Sequence, residues 1–143
     1  MEKGELILHK PNYRELSSLA LAYIGDAVYE VMVRQHLLNK GIAKVKYLHK
    51  ESTEFVSAKS QSHYIHHIMD QLTEEELEIV KRGRNTKSHT TAKNATINEY
   101  RHSTAFECLI GYLYLTEQNE RLEWIFAEVV KEGEERKHEN NKL

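Results

Sequence analysis

LALAYIGDAVYEVMV, the run from Leu19 to Val33, governs how the rest of the chain is read. It is rich in helix formers such as Leu, Ala and Met, and apolar on nearly every side of a helix. A helix of that kind is buried in a bundle or in an interface. Yet Asp26 stands near its centre, directly after Gly25. Taking a lone carboxylate out of water costs several kcal/mol unless it is paired, hydrogen-bonded or bound to a metal. Three fates answer that cost. Gly25 breaks the helix and Asp26 caps the next one, although Val28, Val31 and Met32 continue the apolar phase. An Arg or His of another helix neutralises the acid. Or Asp26 faces a cleft as a metal ligand.

Composition sets the frame around this run. The chain has 143 residues, one proline (Pro11) and six glycines, and no linker divides it. A single domain over residues 1–143 is expected, and few breakers with plentiful Leu, Glu, Lys and Ala make it all-α. No apolar run reaches the length of a membrane span, so no membrane partner is expected. The amino terminus MEKGELILHK lacks a secretory pattern. With Cys108 as the one cysteine, there is no internal disulfide framework and the cytoplasm is the expected compartment.

The net charge of −2 hides an asymmetry. Lys81, Arg82, Arg84, Lys87, Lys93 and Arg101 face a single acid, Glu99, within one short stretch, while acids crowd Glu74–Glu78 and Glu117–Glu139. A basic block in a mildly acidic chain points to a polyanion. Periodicity predicts a first helix starting between Arg14 and Ser18, capped by Asn12 or Ser17, and running to about Leu38. A second runs from Ala43 to Gln71, and a third from the capping-box pair Thr73 and Glu76 through Val80. From Gly83 to Ile97 the pattern stops, which with Lys81 and Arg82 gives a basic loop over about 81–97. Asn98 opens a fourth helix to Leu115, and Asn119 or Glu120 a fifth to Val130. The charged tail, about 133–143, is expected to fray.

The fourth helix repeats the oddity of the first. In AFECLIGYLYL, Ala105 to Leu115, one acid, Glu107, enters an almost wholly apolar run. Small residues lie four positions from each acid: Ala22 before Asp26, and Ser103 and Gly111 on either side of Glu107. Small neighbours let helices approach closely or leave room for an ion. Two carboxylates brought together repel unless a divalent cation lies between them. Magnesium suits such a place, because it needs few carboxylates and keeps waters that a substrate phosphate can share. The competing reading of Glu107 is an interhelical salt bridge with Arg101 or the basic loop.

These residues carry a resemblance. Tyr23-Ile24-Gly25-Asp26-Ala27-Val28 resembles the Gly-Asp-Ala/Ser-Val centre of the ribonuclease III signature. Phe106-Glu107-Cys108-Leu109-Ile110-Gly111 resembles that family's second motif, Glu-Ala-Leu-Ile-Gly, about eighty residues later in both. Leu19, Ala22 and Thr104 stand where the full-length family has acids, and no double-stranded-RNA-binding domain is expected to follow. That pattern is similar to the mini-ribonuclease III subfamily, which consists of the catalytic domain alone. The resemblance implies a ribonuclease III-like helical catalytic domain and a homodimer that hydrolyses both strands of duplex RNA. It implies Asp26 and Glu107 as catalytic residues and ligands of Mg2+, for which Mn2+ can substitute. It further implies maturation of large-subunit (23S) ribosomal RNA, with a ribosomal protein as a further partner. Lys81, Arg82, Arg84, Lys87, Lys93 and Arg101 would hold phosphates.

The missing acids keep an alternative open, a non-catalytic helical RNA-binding or ribosome-assembly factor. Other candidates weigh less. His63, His66 and His67, with His49 upstream, lack a further ligand in a zinc pattern and read as a solvated or RNA-facing helix edge. Cys108 reads as an inert core thiol. Tyr23, Tyr29, Tyr112 and Tyr114 read as core or interface packing.

Overall fold

The second apolar run becomes the axis of the molecule. In the computed structural model, which describes residues 6–87 and 95–141, all regular elements among the described residues are helical. They are α1 (Ser18–Asn39), α2 (Val45–Val56), α3 (Ala58–Ile68), α4 (Glu74–Arg84), α5 (Ile97–Leu115) and α6 (Asn119–Asn141). α1, α3 and α4 surround α5, while α2 and α6 pack outside them. Leu109, Ile110 and Leu113 of α5 are wholly buried, each contributing about 1.5–3 kcal/mol of apolar burial. The polar residues on this helix are also accounted for. The buried Ser103 and Thr104 hydroxyls donate to the Tyr100 carbonyl at 2.8 and 3.1 Å, so neither is left unpaired in the interior.

Both caps proposed for the first helix are used, on separate elements. Asn12 accepts from the Arg14 amide and starts a single 3-10 turn, Tyr13–Glu15; Ser17 accepts from Ala20 and starts α1. Leu21, Gly25, Tyr29, Val33 and Leu37 then form a buried stripe at four-residue spacing. Tyr29 ties the stripe to α2 by donating to the Phe55 carbonyl at 2.8 Å. The other face of α1 is not buried. Leu19, Tyr23 and Val31 are 45, 82 and 62 % exposed.

Three expectations are corrected. The helix expected over 43–71 is two helices and a 3-10 turn, because Ser57 adopts extended backbone (ψ 150°) and its hydroxyl caps α3 at the Ser60 amide. α4 runs on to Arg84, so Lys81, Arg82 and Arg84 are helical rather than part of a loop. Gly83, read as a breaker, is a packing glycine: a Cβ there would lie 2.8 Å from Cys108 Sγ and 3.0 Å from Ala105 Cα. The charged tail does not fray at Gly133; α6 continues to Asn141. Lys137 pairs with Glu51 and Glu54 of α2, and Gly133 lies under Tyr64 and Phe55. Thr96, not Asn98, starts the fourth long helix of the sequence reading, through a capping box with Glu99.

Candidate active site

Two glycines bring the two acids together. A Cβ on Gly25 would sit 1.8 Å from the Glu107 carbonyl oxygen, and one on Gly111 would sit 2.2 Å from the Leu21 carbonyl oxygen. α1 and α5 therefore cross backbone against backbone, which only residues without a side chain permit. The crossing places Asp26, the next residue after Gly25, in hydrogen-bonding contact with Glu107. Gly25 does not break the helix, and Asp26 caps nothing; it lies exposed on the surface of α1. Glu107 is half-buried behind it.

The electrostatics follow from this placement. Burial, then the hydrogen bond and charge of Asp26, push the Glu107 carboxyl up to about 9. Glu30, one turn beyond Asp26 on α1, pushes the same way, and the Gln61 amide opposes it. Glu30 itself is held by Arg34 at 3.1 Å. No basic side chain among the described residues neutralises Glu107, so the salt bridge to Arg101 or the basic loop is not made. Two carboxyls share a site with nothing positive between them. Such a pair is a cation-binding arrangement held, without the cation, by a proton.

The donor set fits a hard divalent ion. Asp26 and Glu107 offer carboxylate oxygens. Gln61, 2 % exposed on α3, has its Oε1 buried with no hydrogen-bond partner among the described residues. Among the described residues no three His, Cys, Asp or Glu side chains form a ready-made metal cage. That argues against a structural zinc centre and suits Mg2+, which takes one or two carboxylates and keeps its waters. Sequence reasoning missed Glu30 and Gln61. The four-residue spacing of Asp26 and Glu30 could have found the first; nothing in the sequence around Ser60-Gln61-Ser62 marks the second.

The basic residues divide. Lys81, Arg82 and Lys87 are exposed at and beyond the end of α4, Arg101 is exposed in the second turn of α5, and Arg84 is half-exposed beside Asn85. Lys93 lies outside the described residues. Lys81 and Arg82 line a groove of about 640 Å3 with Ser18, Glu78, Asn85 and Thr86. Arg82 is near enough to Cys108 to draw its thiol down, yet burial prevails and pushes that thiol to about 12. Cys108 is the inert core thiol expected. Its Sγ donates to the Ser18 carbonyl at 3.1 Å.

The histidines do not form a solvated edge. His63 bonds to Glu132, and His67 lies 3.5 Å from both Glu128 and Glu132, which fastens α3 to α6. His66 stacks on the buried His102 with ring centroids 4.3 Å apart. Of the four tyrosines, Tyr29 and Tyr112 are core, Tyr114 packs partly buried against it, and Tyr23 is exposed.

Comparison with known proteins places this geometry. The family model for the ribonuclease III domain matches residues 19–118, a span that contains both acids and both crossing glycines. The chain is 50% identical over 133 residues to the mini-ribonuclease 3 of Brevibacillus brevis, covering 93% of this chain and 94% of that one. It is 49% identical over 127 residues to the mini-ribonuclease 3 of Clostridium tetani, covering 88% and 84%. A crystal structure of a protein from Fusobacterium nucleatum superposes with a TM-score of 0.76 at 36% identity, over 82% of this chain and 94% of that one. Ribonuclease III enzymes act on double-stranded RNA, generally with a divalent metal and typically as dimers. With its helical fold, its matched span and its relatives in agreement, this chain belongs to the ribonuclease III family and is an endoribonuclease.

Proposed function

We propose that the chain cuts both strands of duplex RNA in a Mg2+-dependent hydrolysis at Asp26 and Glu107, with Mn2+ able to substitute. The observation that carries the reading is the unneutralised contact of these two carboxyls across the Gly25–Gly111 crossing. A bound divalent ion supplies a nucleophilic water at neutral pH and charge stabilisation for the leaving oxygen. Asp26, exposed and on the outer face of α1, is the carboxylate that reaches the substrate side. Glu107 gives up its proton to hold the cation from behind. In-line displacement leaves 5′-phosphate and 3′-hydroxyl ends. Lys81, Arg82, Arg84, Lys87, Lys93 and Arg101 hold backbone phosphates, which supplies affinity without sequence preference.

The working unit is a homodimer. Leu19, Tyr23 and Val31 expose a row of apolar surface on the same helix that carries Asp26, and a large apolar patch of that kind marks an interface. A two-fold pairing through this face sets two Asp26–Glu107 pairs near one another, one for each strand. The substrate is a precursor of large-subunit ribosomal RNA in the cytoplasm, where a ribosomal protein helps present the duplex. The curated relatives support this choice of substrate class by their name.

Incubation with duplex and single-stranded RNA of the same sequence, with Mg2+ or with EDTA, tests the reading on a gel. Cutting of the duplex alone, in Mg2+ alone, is expected. Binding without cutting under every metal condition would leave a non-catalytic RNA-binding protein and defeat it.

A further inference from the structure

Gln61 has half of its amide in use and half idle. Its Nε2 donates to the Val56 carbonyl at 3.0 Å, closing the end of α2. A carbonyl only accepts, so this bond fixes which way the amide faces. Oε1 is thereby turned away from Val56, and it is buried with no hydrogen-bond partner among the described residues. The same amide is a hydrogen-bonding neighbour of the Glu107 carboxyl. Buried polar atoms are nearly always partnered, and an orphan beside two acids points to a partner that comes with the ligand. The neighbours of the acids on their own helices offer little else. Ala22, one turn before Asp26, has no donor atom, and the Thr104 hydroxyl, three residues before Glu107, is committed to Tyr100.

We propose that Gln61 Oε1 is a third protein oxygen of the cation site beside Asp26 and Glu107. The inference rests on the cation reading above. A neutral amide oxygen is an ordinary ligand for a hard divalent ion, directly or through its hydration shell. Gln61 is thus a positioning residue. Its nitrogen anchors it to α2, and its oxygen orients the cation against Glu107. A role limited to closing α2 would need the nitrogen alone.

The two halves can be separated by substitution. Gln61→Met fills the same space and removes both polar atoms. Gln61→Glu keeps an oxygen donor and gives up the bond to Val56. Calorimetric titration of Mn2+ into the full chain without RNA reads cation affinity, and thermal unfolding in EDTA reads the structural role. Both variants are expected to lose a similar amount of thermal stability in EDTA. Gln61→Met should weaken Mn2+ binding about 10- to 100-fold, in the range typical of groups that support metal ligands. Gln61→Glu should bind Mn2+ at least as tightly as the parent. Equal affinity of Gln61→Met and parent would overturn the proposal, as would a Gln61→Glu that binds more weakly than the parent. The Gln61→Glu comparison stands even if Gln61→Met fails to fold. Asp26→Asn, run alongside, separates the two readings. A parent that takes up Mn2+ and loses it in Asp26→Asn upholds the cation site whatever Gln61 does. A parent that takes up none overturns both.

Discussion

Gly25→Ala tests the crossing on which the acid pair depends. The added Cβ would lie 1.8 Å from the Glu107 carbonyl oxygen, 2.8 Å from its carbonyl carbon and 2.9 Å from the Gly111 nitrogen. All three are backbone atoms, so no side-chain rotamer can relieve the clash. Moving from 1.8 Å to the 3.4 Å at which ordinary contact begins requires α1 and α5 to part by about 1.6 Å there. Alanine favours a helix over glycine by up to ~1 kcal/mol, while overpacking of a tight interior costs about 1–3 kcal/mol and occasionally more. With rigid backbone on the other side, the upper end applies, and a net loss of about 2 kcal/mol is expected. At this chain length that lowers the melting temperature by roughly 6 °C. Asp26 moves with the displaced helix, and a misplacement on the order of 1 Å at a reacting centre costs about 100-fold in rate. Thermal melts and single-turnover cleavage of one duplex are the assays. Gly133→Ala is the control, since its Cβ would meet Tyr64 Oη at an ordinary 3.4 Å and the helix should gain up to ~1 kcal/mol. A Gly25→Ala protein as stable and as active as the parent would refute the close crossing.

Three further outcomes follow from particular groups. Arg121→Ala removes a two-pronged pair to the buried Glu76 carboxylate, at 2.9 and 2.8 Å, and should destabilise the fold by about 3 kcal/mol in urea titrations, because a buried acid is left uncompensated. Glu107 is held protonated up to about 9, against 4.5 ordinarily. The cation-free native state therefore keeps a proton that the unfolded chain releases. That stabilisation is complete below about pH 4.5 and is lost as pH rises toward 9, by some fraction of ~1.4 kcal/mol per pH unit. Mn2+ affinity should rise over the same window with proton release, and Glu107→Gln should flatten the stability profile. Replacing Arg82, Arg84 and Lys87 together by Ala should reduce the salt dependence of duplex binding by about two to three units of log–log slope, equally for all duplexes; an unchanged slope in filter binding would remove these residues from the RNA interface.

Much of the fold was legible because local chemistry announced it. Ser17, Asn12 and the Thr73–Glu76 box each start the element they were expected to start. The misses have physical reasons. The apolar spacing runs unbroken through Val56, Ser57 and Ala58, so nothing but the backbone at Ser57 separates α2 from α3. Gly83 carries the same letter as a helix breaker, and only its contact with Cys108 and Ala105 shows that closeness, not flexibility, is what the position requires. The tail of α6 is too polar to read as helix by periodicity; its partners on α2 lie some eighty residues away in sequence. The site divides in the same way. Asp26 and Glu107 stood out as acids in apolar helices, and the glycines that join them were in view. Gln61 could not stand out, because a buried glutamine is recognised only by what its amide lacks.

The most direct test of the account is the single-turnover rate of Asp26→Asn on one defined duplex at saturating Mg2+, with duplex affinity and helicity measured on the same protein. The substitution keeps size and hydrogen bonding and removes the charge that attracts the cation. The rate should fall by orders of magnitude while binding and helicity persist. Glu107→Gln should match it, and the double variant should be little worse than either, since groups acting as a unit are not additive. An Asp26→Asn protein that cuts at nearly the parent rate would contradict the central claim that this pair of carboxyls carries the chemistry.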